Sequence, residues 1–259
     1  MTRRAPRAAS YHTFARTESA AGSRTAGGMQ SRRTFVGASA LVFAAAHVAG
    51  SPSVSAAAGP YDFAAIEQRL NLPFAHRQAF GSHALADGTA GALMLNSLNA
   101  YEFDYGEGAG TLHALGIFYG TSVALLLDDA VWKKYRLDVV QQRRGDPAKR
   151  AAPGGGNPYG RATSSLDPAA ARSEMHGFYH DTSVEALTKR KASFFACDNA
   201  LTGLATDIAV SYGMSDEPVQ TVHADLRAHL LPGVLLVPAG VAAVNQAQER
   251  KFTFIPASV

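Results

Sequence analysis

Five strand-like segments constrain what this chain can fold into: residues 74–82 (FAHRQAFGS), 111–120 (TLHALGIFYG), 192–197 (ASFFAC), 233–240 (GVLLVPAG) and 251–255 (KFTFI). The run at 111–120 is continuous rather than alternating, which is the pattern of a strand covered on both faces. Segments with apolar residues at helical spacing separate the runs. Strands that alternate with helices to the C-terminus predict one α/β domain with a mostly parallel sheet of about five strands and right-handed crossovers. Ligands bind such sheets at the carboxyl ends of the strands.

The helical segments read as follows. In 61–70 (YDFAAIEQRL) Phe63, Ile66 and Leu70 share a face and Asp62 can cap it. From Gly88 to Phe103 the apolar positions keep a helical period that DYGEGAG breaks. Residues 121–135 predict one helix burying Val123, Leu126, Leu127, Ala130 and Val131, with basic residues near its C-terminus. Further helices are expected at 183–190, 199–213, 222–230 and 241–250.

The first 58 residues read as targeting sequence. SRRTFVG (31–37) precedes ASALVFAAAHVAG and then SPSVSAAAG, which is a basic region, an apolar stretch and small residues suited to a signal peptidase. The apolar stretch falls short of the about 20 residues that a bilayer span needs. Arg32 and Arg33, between Ser31 and Phe35, resemble a twin-arginine (Tat) export signal. Residues 1–28 are polar and aperiodic and predict disorder, and Met29 is an alternative start. The expected location is periplasmic, with no stable membrane span once the signal is removed.

Charge follows the same division. Seven Arg and one Glu lie before Gly59, leaving 17 basic against 20 acidic residues after it, a net of −3. No basic patch remains to argue for nucleic acid. Nine His and one Cys exclude a disulfide scaffold and a cysteine-rich zinc site. His176 and His180 stand four apart beside Asp181, but Gly177 disfavours a helix there and no metal is expected. His113, inside an apolar run, reads as a satisfied core histidine. There is no phosphate-binding loop, nucleophile elbow, dinucleotide fingerprint or haem attachment motif, and no cofactor is expected.

Residues 142–182 change character: RRGDPAKRAAPGGGNPYGRATSSLDP is rich in Gly, Pro and charge and has no period. A loop of this length predicts a flexible insertion, either mobile over the active face or an inert linker.

Two blocks carry a family resemblance. FFACDNAL (194–201) is an apolar strand ending in Cys197, and LLPGVLLVPAGVAAVNQAQERKFTFI (230–255) follows with Pro238, Gly240 and Gln248. LNSLNAYEF and FYG lend weaker support. Together they resemble the DsrE/DsrF-like sulfur-relay proteins over about residues 75–255. That resemblance implies a three-layer Rossmann-like (DsrEFH-like) domain, assembly as a trimer or hexamer, and a small sulfur compound or a sulfur-acceptor protein as partner. The chain departs from the pattern at Asp198, where a small or amide residue is usual, and at Tyr119, where many relatives carry His.

By this reading Cys197 is the catalytic candidate, holding sulfane sulfur as a persulfide. At a strand-to-helix junction the first-turn N–H groups and the helix dipole favour a thiolate, lowering a thiol pKa from about 8.5 to roughly 3.5–7.5. The sulfur is then expected to be partly accessible. Asn199 can cap the turn; Asp198 opposes the thiolate unless paired. Pro238 and Gly240 form the other lip or a plain tight turn, and Asn99 and Tyr119 complete the candidate binding set. The alternative is a non-catalytic periplasmic ligand- or partner-binding domain in which Cys197 is a small core hydrophobe. The export reading has a direct test. Replacing Arg32 and Arg33 together with Lys is expected to leave precursor in the cytoplasm, whereas undiminished mature protein outside it removes the twin-arginine assignment.

Overall fold

The computed structural model describes residues 59–162 and 180–257, which fall in one compact unit. The leader, His176 and residues 163–179 lie outside the described residues. The strands are β1 (His76–Ser82), β2 (Leu112–Phe118), β3 (Ser193–Cys197), β4 (Val234–Val237) and β5 (Thr253–Pro256). All pair in parallel, in the order β4-β3-β2-β1-β5. The helices are α1 (Phe63–Leu70), α2 (Thr89–Asn99), α3 (Asp129–Lys134), α4 (Leu137–Arg143), α5 (Val184–Lys189), α6 (Asp198–Thr206), α7 (Val219–Ala228) and α8 (Gly240–Glu249). The expected α/β fold with three layers and five strands is what forms. Among the described residues no helix is long and apolar enough to cross a membrane.

The order of the strands dictates where the helices sit. From β1 to β4 the chain steps one way across the sheet, and its connections pack on one face. There Phe80, Met94, Phe118, Trp132, Phe194, Leu201 and Leu226 form the larger core. From β4 to β5 it crosses back, so a right-handed connection must use the other face. That face is covered by α1 and α8, with Ile66, Leu70, Leu115, Ile117, Phe195, Ala243 and Ala247 in a second core. Every residue of β2 and β3 is buried, as their continuous apolar runs require. Each fully buried Leu or Phe contributes about 1.5–3 kcal/mol.

Asp62 caps α1, its carboxylate accepting the Ala65 N–H at 2.8 Å. Residues 121–135 do not form one helix. A 3-10 turn over Gly120–Leu126 ends at an extended Leu127, which bridges to Leu230. Asp128 then starts α3 afresh by accepting the N–H groups of Ala130 and Val131. A competing cap inside a helical period breaks the helix.

The segment read as a flexible insertion is docked over residues 144–162. Tyr159 is 4% exposed and belongs to the larger core. The Asn157 side chain donates to the carbonyls of Leu125 and Leu127 at 2.8 and 2.6 Å. Gly and Pro in this run carry the chain along a path packed against the larger core.

His113 is fully buried in β2, stacked on Phe74 with ring centroids 4.7 Å apart and edge-on to Phe252. Nε2 lies 2.8 Å from Ser193 Oγ, while Nδ1 is buried with no partner, so the core histidine is only half satisfied. Burial, with Arg69 and Arg77 nearby, pushes its pKa down to about 4. The unfolded chain, titrating near 6.5, then binds more protons than the folded chain between these values. Stability falls as pH drops through 6.5, and the loss is complete below about 4. Between pH 7 and 5 this group alone costs about 2 kcal/mol. Urea unfolding of His113→Leu at both pH values is expected to show that much less acid sensitivity, whatever its absolute stability; an unchanged difference removes His113 as the cause.

Candidate functional site

Cys197 ends β3 and is the N-cap residue of α6, with extended backbone (φ −76°, ψ 118°). It is 5% exposed and forms no disulfide. The expectation of a partly accessible sulfur therefore fails. The strand register carries the residue inside, beside Val237 of β4.

Asp198 opens α6 and is 4% exposed. Its carboxylate accepts hydrogen bonds from Tyr61 Oη at 2.7 Å and Arg227 Nε at 2.7 Å, and from Arg227 Nη2. His223 Nε2 lies 2.8 Å from the same carboxylate. Burial by itself would push the Asp198 carboxyl up. The bonds from Arg227, Tyr61 and His223 outweigh it and hold the group below the usual carboxylate range. The first turn of α6 also favours a negative charge. Asp198 is thus paired and fixes the pre-α1 segment, α6 and α7 to one another.

Asn199 is exposed, and its backbone N–H reaches the Pro238 carbonyl at 3.4 Å, joining α6 to the turn after β4. Pro238 is exposed and Gly240 buried. A Cβ on Gly240 would lie 2.8 Å from Tyr119 Cβ and Cδ1, so the glycine is needed for the close approach of that ring. The close approach foreseen for a ligand is made by Tyr119 instead. The structure brings Cys197, Asp198, Asn199, Tyr119, Pro238 and Gly240 together at the carboxyl ends of β2, β3 and β4.

Asn99 is not among them. Its Oδ1 accepts from Arg190 Nη1 at 2.7 Å, and Arg190 also meets Glu102 at 2.8 Å. Arg190 precedes β3, so this group lies at the amino ends of the strands. Helical spacing reports the face of a helix and says nothing about which end of the sheet a residue reaches. Because α2 runs back from the carboxyl end of β1, its last residue belongs to the opposite edge.

A second polar cluster closes the carboxyl ends of β1 and β2. The Asp146 carboxylate accepts the N–H groups of Leu85 at 2.5 Å and Ala86 at 3.0 Å, and the Thr121 hydroxyl. Neither this cluster nor Tyr61, His223 and Arg227 was foreseen. The one available signal was His223 and Arg227 four apart on α7, which places them on one helix face.

A groove of about 630 Å³ runs along the free edge of β4, between Pro60 and Asp62 on one side and Ala224, Arg227 and Ala228 of α7 on the other. Its floor is the half-buried Val234, Leu235 and Leu236. Arg227 links the groove to the Asp198 network. Among the described residues no group of three His, Cys, Asp or Glu side chains is placed to hold a metal ion. No family model, curated protein or solved structure matches the chain.

The network makes Asp198 the sensitive point. Arg227→Met leaves its carboxylate buried with two weaker partners and is expected to cost roughly 2–3 kcal/mol at pH 7. The deficit should shrink toward pH 4, where the abandoned carboxyl takes up a proton. Urea denaturation at the two pH values measures it, and a variant as stable as the parent at pH 7 means the pair contributes nothing net.

Proposed function

We propose that this chain is an exported, non-catalytic α/β domain that binds a partner, with Cys197 serving as a packed core thiol. The burial of Cys197 carries this reading: at 5% exposure the residue offers little to a sulfur donor. The other ligand-binding features of the carboxyl edge are occupied from within. Tyr119 fills the space beside Gly240, Asp146 takes the amides of Leu85 and Ala86, and Arg227 takes Asp198. The groove along β4 supports a partner surface, since an edge strand presents unpaired backbone groups beside apolar side chains. Among the described residues β4 and β5 are the edge strands, which is compatible with assembly of several copies, the arrangement that the DsrE/DsrF-like resemblance implies. Export by the twin-arginine route rests on Arg32 and Arg33.

One observation favours the sulfur-carrier reading. Cys197 is the N-cap residue of α6 at the carboxyl end of a central strand, and its side chain makes no capping hydrogen bond. A thiolate there would attack the sulfane sulfur of a polysulfide, break its S–S bond, release the polysulfide shortened by one sulfur and hold the transferred sulfur as a persulfide.

One experiment separates the two. Folded protein and Cys197→Ser are treated with polysulfide, or with an alkylating reagent across a pH series, and weighed intact. The binding-domain reading expects no added sulfur, and alkylation only after denaturant. A gain of one sulfur that disappears in Cys197→Ser, with alkylation of the folded protein, would establish the carrier instead.

A further inference from the structure

The residues after α4 converge on one short loop between β1 and α2. Asp146 accepts the amides of Leu85 and Ala86. Tyr159 Oη donates to Asp87 Oδ1 at 2.6 Å, and Arg150 Nε lies 3.6 Å from Asp87 Oδ2. The Arg150 guanidinium also sits over the Tyr159 ring, 5.4 Å from its centroid. A Cβ on Gly88 would stand 2.8 Å from Tyr159 Cδ1. Carboxylate, guanidinium and phenol therefore grip consecutive residues of a single loop.

The gripped loop is strained. Ala86, Asp87 and Gly88 have φ of 42°, 52° and 82° in succession. Glycine adopts this region freely, but two L-residues in a row hold it only where the surroundings over-determine it. The gripping segment is itself anchored. The Tyr159 N–H donates to Asn157 Oδ1 at 2.8 Å, and Asn157 is tied to Leu125 and Leu127. At its start, Arg144 pairs with Asp207 at 3.1 Å. Next to the loop lie Ser82, the last residue of β1, and Ser122 of the 3-10 turn after β2: they are 1% and 0% exposed, and Ser122 Oγ donates to the Ser82 carbonyl at 2.5 Å.

We propose that residues 144–160 are a strap that holds the β1–α2 loop in its strained form over the carboxyl ends of β1 and β2, and that strap and loop open together as one unit. Opening returns Ala86 and Asp87 to negative φ and uncovers the polar groups of Ser82 and Ser122. The sheet stays in place, while Leu85, Ala148 and Tyr159 leave the margin of the larger core. The strap is independent of Cys197, whether that thiol is inert or reactive.

Amide hydrogen exchange on the full chain tests the strap. Asp146→Ala is expected to speed exchange at Leu85 and Ala86 at least tenfold while Phe194–Ala196 of β3 keep parental protection. Tyr159→Phe speeds the same amides by itself but adds nothing to Asp146→Ala, because the unit is already released. Ala86→Gly works in the opposite sense: it relieves the strain at φ 42° and slows exchange in the loop. Parental exchange at Leu85 and Ala86 in Asp146→Ala overturns the strap. So does equal loss of protection in β3 in both strap variants, which means that the strap opens only when the sheet does. Additive effects of the two substitutions overturn the single unit, and faster exchange in Ala86→Gly overturns the strained closed state.

Discussion

Complete burial of β2 and β3 is the constraint on which the rest of this structure depends. A strand buried on both faces needs a strand on each side and a layer of helices above and below, because its backbone groups have no water to turn to. At the carboxyl edge the ladder stops while burial continues. Every polar group there must find a partner within the chain or pay for desolvation. Asp198 among Tyr61, His223 and Arg227, and Asp146 on the amides of Leu85 and Ala86, follow from that requirement. The edge where α/β sheets usually receive ligands is, in this chain, largely self-filled.

The central strand β2 was legible because a continuous apolar run closed by glycine has one economical use in a fold of this size, and the others because short strand-like segments alternate with helical periods. The cap at Asp62 and the junction at Cys197, Pro238 and Gly240 were legible for a related reason: each depends on residues close in sequence. What could not be read depends on distance. Tyr61 meets Asp198 across 137 residues and Arg227 meets it across 29, and neither pairing leaves a local trace. Asn99 was placed on the correct helix and at the wrong end of the sheet. The helix over 121–135 broke because the side chain of Asp128 outcompetes the period around it. Composition suggested a flexible insertion over 142–182, and what it could not show is that Asn157 bonds to Leu125 and Leu127 and that Tyr159 packs into the core.

The two cysteine readings differ only in burial, which a sequence does not encode at single-residue resolution. Cys197 is followed by a charged residue, and a charge commonly marks the way out to solvent. Here Asp198 turns inward because Arg227 and His223 arrive from α7 to receive it. The pairing that neutralises the carboxylate also draws the strand end under cover.

The pairing of β5 with β1 sets an order on folding. Gln78–Gly81 of the first strand lie beside Thr253–Pro256 of the last, and the Ala257 N–H closes on the Gly81 carbonyl at 2.9 Å. During synthesis the first strand can acquire one neighbour early, but its other side stays bare until Thr253–Pro256 have been added. A pairing this remote in sequence is slow to form and leaves an open strand edge in the meantime. A chain without Thr253–Pro256 would lose more than one strand: it would leave an inner strand permanently at the border of the sheet.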